Sequence, residues 1–378
     1  ASFLLAIFPL SLLFYLAPAT LLWRGATFLV LVVSLVVIVV TRLIFIGMVD
    51  QKVLRRRALV LGAGKRACHI RQLEKDLPML GIEVVGYAHM DRDHDVIDDD
   101  RVFRHEKPLC EIVREKKIDE IILAVDDRRK SMPVHEILDC KMDGVDVLDM
   151  LSFFERETGR VKLDLVNPSW LFLSDGFRVS VSSSVVKRLF DIMVSILLLP
   201  LFLPLMVMVT IAIWVESGGE GPVLYRQVRV GRNNNNFTIY KFRSMQVTAE
   251  ADGVARWASK GDLRITRVGA LIRKTRLDEL PQIFNVLKGD MSFVGPRPER
   301  PEFVAQLQEQ YPYYRERHRM RPGLTGWAQI SYQYGNTPED AYRKLEYDLY
   351  YVKNYSIFLD LLIILHTIHV VLTGKGAH

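Results

Sequence analysis

Two adjacent carboxylates, Asp278 and Glu279, stand among basic side chains in the stretch Arg273-Lys-Thr-Arg-Leu-Asp-Glu-Leu-Pro. Two neighbouring ionised carboxylates repel each other, so cations must lie nearby, either the arginines or a bound divalent metal. Pro281 suits a first helical turn, which places the pair at or just before the positive end of segment 281–288. Phosphate groups favour that same end. The pair can therefore belong to a phosphate-binding site, or it can do no more than complement a helix dipole. The motifs around it decide between these two interpretations.

Further motifs surround this pair in a fixed order. They are Lys187-Arg-Leu-Phe-Asp191, Tyr240-Lys-Phe-Arg-Ser-Met245, Asp262-Leu-Arg-Ile-Thr266, Leu277-Asp-Glu-Leu-Pro281, Val294-Gly-Pro-Arg-Pro298 and Arg321-Pro-Gly-Leu-Thr-Gly-Trp-Ala-Gln329. The ordered set resembles the catalytic domain of the large monotopic phosphoglycosyl transferases. These bacterial membrane enzymes start exopolysaccharide and O-antigen synthesis on a polyprenyl phosphate carrier. The resemblance covers about half of the chain.

The resemblance implies a reaction and gives roles to individual residues. A sugar 1-phosphate would pass from a UDP-sugar to undecaprenyl (polyprenyl) phosphate, with UMP leaving first. Asp278 would be the nucleophile that carries a covalent phosphosugar, and Glu279 would be the ligand of Mg²⁺. Arg273 and Arg297 match the family's phosphate contacts. The family also implies a homodimer.

Two further basic residues add to the phosphate site on chemical grounds. Lys241 and Arg243 lie in the Tyr240–Met245 motif, where a lysine supplies a point charge and an arginine a planar fork for phosphate. The turn Val294-Gly-Pro-Arg-Pro298 would fix the side chain of Arg297.

Two other functions fit parts of the sequence. A membrane-anchored nucleotide sensor or scaffold would use its N-terminal domain for the ligand and lack transferase activity. An ordinary glycosyltransferase would move a sugar alone and release UDP instead of UMP.

A proline-broken apolar segment precedes the carboxylates, over about 188–215. It is long enough to span a bilayer, but Pro200 and Pro204 each remove a helix hydrogen bond near its middle. Basic residues flank it on both sides and give no preferred direction of crossing. The sequence therefore favours a re-entrant helix broken at these prolines, with a kinked spanning helix as the alternative. The family breaks this helix at a Ser-Pro pair, and Leu203 stands here in place of the serine.

The N-terminal residues 1–50 predict a transmembrane hairpin, and the basic cluster after it orients the next domain toward the cytoplasm. The chain opens inside an apolar run, so we expect a natural N-terminal part to be missing.

The charge of the chain bears on its partners. The net charge of +6 is modest, and the sequence has no pattern of alternating basic and aromatic residues that would indicate nucleic-acid binding. We expect a bilayer, a nucleotide sugar and a polyprenyl phosphate as partners, at the bacterial inner (cytoplasmic) membrane.

Residues 51–150 alternate β-rich runs with helical stretches, a βαβ rhythm that predicts a Rossmann-like domain. Its first turn carries Gly62-x-Gly64-x-x-Ala67, the form of a dinucleotide-binding loop. A purely structural or regulatory role is the alternative.

The predicted architecture is thus an α/β membrane protein with the hairpin over 1–50, the Rossmann-like domain over 51–150, a connector over 151–186 and a catalytic domain over 187–378. The three cysteines are expected to be reduced core thiols.

Overall fold

In the computed structural model of this chain, β-rich runs alternate with helices from Arg56 onwards, as the sequence predicts. The structure describes residues 29, 32–41, 55–77, 81–90, 97, 101–104, 107–126, 132–166, 174, 176, 177, 180–247, 262, 264–332 and 337–373. The chain divides into two units, Ala1–Thr158 and Gly159–His378, with the boundary inside the segment 151–186.

The first unit contains a helix near its start and then a run of strands and helices. These are α1 Val32–Thr41, β1 Arg56–Leu61, α2 Lys65–Asp76, β2 Ile82–His89, β3 Val102–Arg104, α3 Leu109–Glu115, β4 Glu120–Leu123, α4 Val134–Met142, β5 Asp146–Asp149 and α5 Met150–Thr158. The rest of the predicted hairpin over 1–50 lies outside the described residues, apart from Leu29.

All five strands are parallel, in the order β3-β2-β1-β4-β5. This is the order of a doubly wound sheet, in which helices cover both faces. The central strand is accordingly apolar throughout its second half, and Leu59, Val60 and Leu61 are fully buried. The prediction of a parallel α/β sheet is confirmed.

Two cysteines that lie far apart in the sequence meet between α3 and α4. The Sγ atoms of Cys110 and Cys140 are 3.0 Å apart, and both thiols are free. Burial and the neighbouring thiol raise the pKa of Cys140 to about 12. Cys140 is therefore a protonated core thiol at neutral pH.

The second unit begins with one long helix. Helix α6 runs from Val181 to Glu216, and the Oγ of Ser180 caps it by accepting a hydrogen bond from Ser183 N. It is the only described helix that is long and apolar enough to cross a membrane. Pro200 and Pro204 lie inside it and do not end it. The sequence predicts a break at these prolines, but the helix continues through both of them. Each proline removes one N–H donor and leaves the hydrogen bonds of the flanking turns in place.

The remaining elements of the second unit follow this helix in the chain. They are β6 Leu224–Val230, β7 Asn236–Phe242, α7 Arg267–Lys274, α8 Gln282–Lys288, β8 Ser292–Val294, α9 Pro301–Gln310, β9 Gly323–Thr325, α10 Trp327–Ser331, α11 Pro338–Lys353 and α12 Ile357–Thr373. The runs on both sides of the asparagine stretch alternate in the manner of strands, which predicts a hairpin with a solvated tip. Strands β6 and β7 form this antiparallel hairpin. Val161 and Leu163, from the predicted connector, are buried with Leu345 and Leu349 of α11.

Candidate active site

The two carboxylates lie in a short turn between helices α7 and α8. Arg276 adopts a φ of 60°, a left-handed conformation that is costly for a residue with a side chain, and a single 3-10 turn then spans Leu277–Glu279. Pro281 is the residue before α8, which begins at Gln282. The expected position of Asp278 and Glu279, just before a helix start, is confirmed.

Glu279 is clamped by two cations. Its Oε1 accepts hydrogen bonds from Lys241 Nζ and from Arg297 Nη2, each at 2.9 Å, and its side chain is only 13% exposed. Burial by itself would raise the pKa of Glu279, but the charges and hydrogen bonds of Lys241 and Arg297 outweigh it and hold that pKa well below its usual range. Glu279 is therefore ionised at neutral pH.

Asp278 is in a different electrostatic state, although it is the adjacent residue. Burial and the charge of Glu279 raise its pKa, and Lys241, Arg276 and Arg273 oppose that shift. Among the described residues, no side chain or backbone N–H donates a hydrogen bond to its carboxylate. The two adjacent carboxylates thus differ in their surroundings, because cations fix Glu279 and no described residue donates a hydrogen bond to Asp278.

The four predicted phosphate contacts do not share one position. Lys241 and Arg297 meet at Glu279. Arg273 lies in the last turn of α7, near enough to lower the pKa of Asp278, and forms no ion pair with the described residues. The guanidinium of Arg243 lies against Gly221, where an added Cβ would fall 2.4 Å from Nη1, and no ion pair within the described ranges joins it to either carboxylate. The phosphate-binding role of all four residues stays a prediction.

A rigid turn carries Arg297. Strands β8 and β9 approach so closely that a Cβ on Gly295 would lie 2.3 Å from Arg321 O, and one on Gly323 would lie 2.1 Å from Gly295 N. Gly295 N donates to Thr325 O at 2.9 Å, and Gly323 N donates to Pro296 O at 3.0 Å. Only glycine fits at both positions, which fixes the start of the turn that presents Arg297.

Two residues at this site were not predicted from the sequence. Arg317 donates from Nη2 to the backbone oxygen of Arg297 at 2.9 Å, and Arg276 contributes charge to Asp278 from its left-handed position. Arg317 stands in the run Arg-Glu-Arg-His-Arg, where nothing in the local sequence distinguishes it from the arginines on either side. Its partner on α11, Asp348, is equally unmarked.

The carboxylate pair fits a magnesium ion in its donor chemistry. Mg²⁺ prefers oxygen ligands and is usually held by one or two carboxylates, with waters and substrate phosphates completing the shell. Within the described ranges, Glu279 Oε2 accepts no hydrogen bond, and Asp278 offers two more oxygens. No group of three or more His, Cys, Asp or Glu side chains able to hold a metal occurs in the part of the chain that the structure describes. A site of this kind would depend on the substrate's phosphates.

The predicted nucleotide loop in the first unit is occupied by the protein itself. The carboxylate of Asp126 accepts hydrogen bonds from the backbone N–H groups of Lys65 and Arg66, both at 2.9 Å, at the start of α2. A Cβ on Gly64 would lie 2.2 Å from Asp126 Oδ2, and one on Gly62 would lie 2.7 Å from Ala124 O. The two glycines thus allow the loop to pack against the end of β4. Asp126 takes the place at the helix N-terminus that a phosphate would need.

Comparison with known proteins decides the family. The profile of the family described as "Bacterial sugar transferase" matches residues 182–374, which is just over half of the chain. The chain belongs to the bacterial sugar transferase family. The matched range contains all of α6 except its first residue, both carboxylates and the turn that carries Arg297.

Individual relatives of this family member cover different parts of it. The UDP-N-acetylgalactosamine-undecaprenyl-phosphate N-acetylgalactosaminephosphotransferase of Aeromonas hydrophila is 46% identical over 63% of this chain and 55% of its own length. The UDP-glucose:undecaprenyl-phosphate glucose-1-phosphate transferase of Klebsiella pneumoniae is 34% identical over 86% of this chain and 69% of its own length. A protein of Rhizobium leguminosarum bv. phaseoli named "Exopolysaccharide production protein PSS" is 45% identical over 51% of this chain and 98% of its own length. The chain thus spans about half the length of the Aeromonas relative.

Proposed function

We propose that this protein transfers a sugar 1-phosphate from a UDP-sugar to undecaprenyl phosphate and releases UMP. The observation that carries the proposal is the contrast between adjacent carboxylates, since Glu279 is clamped by Lys241 and Arg297, whereas no described residue donates a hydrogen bond to Asp278. The names of the relatives in Aeromonas and Klebsiella support the same donor and acceptor classes.

The first step uses Asp278 as the nucleophile. A carboxylate oxygen of Asp278 attacks the phosphorus that bears the sugar, and the bond to the other phosphate of the UDP-sugar breaks, so that UMP leaves with the bonding electrons. An aspartyl phosphosugar results. Arg273, which forms no ion pair within the described ranges, supplies positive charge for the phosphoryl oxygens beside Asp278.

The second step regenerates the enzyme. A phosphate oxygen of undecaprenyl phosphate attacks the same phosphorus, and the carboxylate of Asp278 leaves, which gives undecaprenyl diphosphate sugar.

A magnesium ion would assist the first step. When bound at Glu279, Mg²⁺ would neutralise the diphosphate of the UDP-sugar and make UMP a better leaving group. Lys241 and Arg297 keep Glu279 ionised and hold its Oε1, which leaves Oε2 for that role.

The contacts of α6 support a re-entrant path in the membrane. Near its start, Arg188 donates from both Nη atoms to the carbonyls of Val286 and Leu287, at 2.5 Å each. At its other end, Glu216 accepts a hydrogen bond from Val268 N at 3.0 Å. No residue between Ser195 and Met206 is buried. The start of α6 therefore contacts α8 and its end contacts α7, two helices of the same unit, and the exposed or half-buried middle is the part we place in lipid.

This arrangement would hold the site at one face of the bilayer. A straight helix of this length would extend about 54 Å at 1.5 Å per residue, well beyond a hydrocarbon core of about 30 Å. A bend at Pro200 and Pro204 would return the chain to the side it left. We place that side in the cytoplasm of a bacterial cell, where nucleotide sugars are made, with the protein in the inner membrane.

A UMP-release assay tests the proposed reaction. The purified protein is incubated in detergent with Mg²⁺, undecaprenyl phosphate and a panel of UDP-sugars, and nucleotide products are separated by chromatography. We expect UMP that depends on the lipid with at least one donor. UDP as the product would instead indicate transfer of the sugar alone, and no nucleotide release with any donor would contradict the proposal.

A further inference from the structure

A buried arginine outside the sequence motifs reaches the backbone of the active-site turn. Arg317 is only 5% exposed, and its partner Asp348 on α11 is 3% exposed. Arg317 Nε and Nη2 contact the same oxygen of Asp348, Oδ2, at 2.9 and 2.7 Å. Nη1 donates to the hydroxyl of Tyr314 at 3.0 Å, and Nη2 also donates to the backbone oxygen of Arg297 at 2.9 Å.

The guanidinium therefore joins three separate parts of the unit. Its acceptors belong to α11, to the 3-10 turn Tyr314–Arg319 and to the loop after β8. The charge of Asp348 and the hydroxyl of Tyr314 fix the plane of the guanidinium, and that plane aims Nη2 at Arg297. A lysine has no such planar fork and cannot reach three acceptors in fixed directions at once.

A second arginine holds the next carbonyl of the same turn. Arg229 donates from Nη1 to Pro298 O at 3.1 Å, while Gly295 N and Pro296 O are bonded to the segment 323–325. Each residue from Gly295 to Pro298 thus has one backbone hydrogen bond to a group outside the turn. The bond from Arg317 is the one that holds Arg297, whose side chain contacts Glu279.

We propose that Arg317 is a positioning residue, which acts on the transfer reaction through Arg297 and touches no substrate itself. This inference rests on the proposed function. Asp348 holds Arg317, Arg317 holds the carbonyl of Arg297, and Arg297 then places Nη2 on Glu279 Oε1. Displacing a group of this kind by about 1 Å can slow an enzyme about a hundredfold.

A double-mutant cycle tests the inference in the lipid-dependent UMP-release assay. The variants are Arg317→Lys, Arg297→Lys and the two combined. Arg160→Lys is the matched control, because Arg160 also contacts a carboxylate of α11, that of Glu346 at 3.3 Å, but has no contact with the turn. Thermal unfolding is measured for each variant, so that loss of folded protein is separated from loss of rate.

We expect Arg317→Lys to lower kcat about 10- to 100-fold, and Arg160→Lys to change it less than about twofold. In the Arg297→Lys background, Arg317→Lys should add less than about a threefold further loss, because its effect passes through Arg297. Equal losses in both backgrounds, or a wild-type rate for Arg317→Lys, would overturn the inference. Absence of UMP release by the wild-type protein would count against the proposed function instead.

A structure of the Arg317→Lys protein by electron cryomicroscopy tests the positioning without any substrate. We expect Arg297 Nη2 to have moved out of hydrogen-bond distance of Glu279 Oε1. An unchanged contact at 2.9 Å would overturn the inference, even if the protein proved to have another activity.

Discussion

Replacing Lys241 with methionine tests the clamp on Glu279 through stability alone. The change keeps most of the apolar stem of the side chain and removes one of two charged hydrogen bonds to an acceptor that is 13% exposed. A charged hydrogen bond of this kind contributes about 1.5–3 kcal/mol. Since 1 kcal/mol shifts Tm by roughly 2–4 °C for a unit of 150–250 residues, we expect Tm to fall by about 3–12 °C at pH 7.5.

Lys288→Met is the matched control. Lys288 also pairs with a carboxylate, that of Asp290 at 3.0 Å, but its side chain is 66% exposed, so its loss should cost less than about 1 kcal/mol. Both variants are compared with the wild-type protein by differential scanning calorimetry in detergent. A Lys241→Met protein as stable as Lys288→Met would refute the reasoning, because it would mean that the clamp contributes nothing beyond a surface pair.

The Tm difference between the wild-type and Lys241→Met proteins should change with pH in one direction only. The folded pKa of Glu279 is depressed, so the stabilisation from its cations is fully present above the unfolded pKa of about 4.3 and is lost as pH falls toward the folded value. The Tm difference between the wild-type and Lys241→Met proteins should therefore be constant from about pH 8 to pH 5 and shrink below about pH 4. A difference that grew on acidification would contradict the assignment.

Three further predictions concern separate parts of the chain. Gly295→Ala should prevent folding of the second unit, because its Cβ would lie 2.3 Å from a backbone oxygen, whereas Gly81→Ala, with its nearest neighbour at 3.9 Å, should express and unfold like the wild type. Cys140 should stay unmodified by iodoacetamide at pH 8 while Cys68 reacts, because Cys140 is buried and has a pKa of about 12. Peptide mapping by mass spectrometry measures both reactions, and modification of the two cysteines at equal rates would exclude the buried contact of Cys140 with Cys110. The rate of UMP release should fall on acidification with a midpoint above the ordinary aspartate pKa of about 3.9, because burial and Glu279 raise the pKa of Asp278; a midpoint below that value would contradict the raised pKa.

Local sequence patterns were sufficient for the elements and for the carboxylate pair. The alternating strands of the hairpin around the asparagine run, the parallel strands after Arg56, and the helix start after Pro281 each result from a residue pattern that decides local conformation. These features depend on neighbours within a few residues, and the structure confirms them.

Contacts between distant segments could not be predicted in this way. The glycine loop after β1 has the residue pattern of a phosphate-binding loop. Its backbone N–H groups instead donate to the carboxylate of Asp126, about 60 positions further on. Cys110 and Cys140 meet only because α3 and α4 pack side by side. Arg317 owes its position to Asp348, 31 residues away on another helix. Such pairs depend on tertiary packing, which a single sequence without a motif at either residue does not reveal.

Intact-protein mass spectrometry tests the central claim most directly. The protein is incubated with Mg²⁺ and each UDP-sugar in the absence of lipid, beside Asp278→Asn and the control Asp290→Asn. We predict a mass gain equal to one sugar phosphate in the wild-type and Asp290→Asn proteins, its loss on adding undecaprenyl phosphate, and no gain in Asp278→Asn. An adduct that persists in folded Asp278→Asn protein, or full lipid-dependent UMP release by that variant, would contradict Asp278 as the nucleophile.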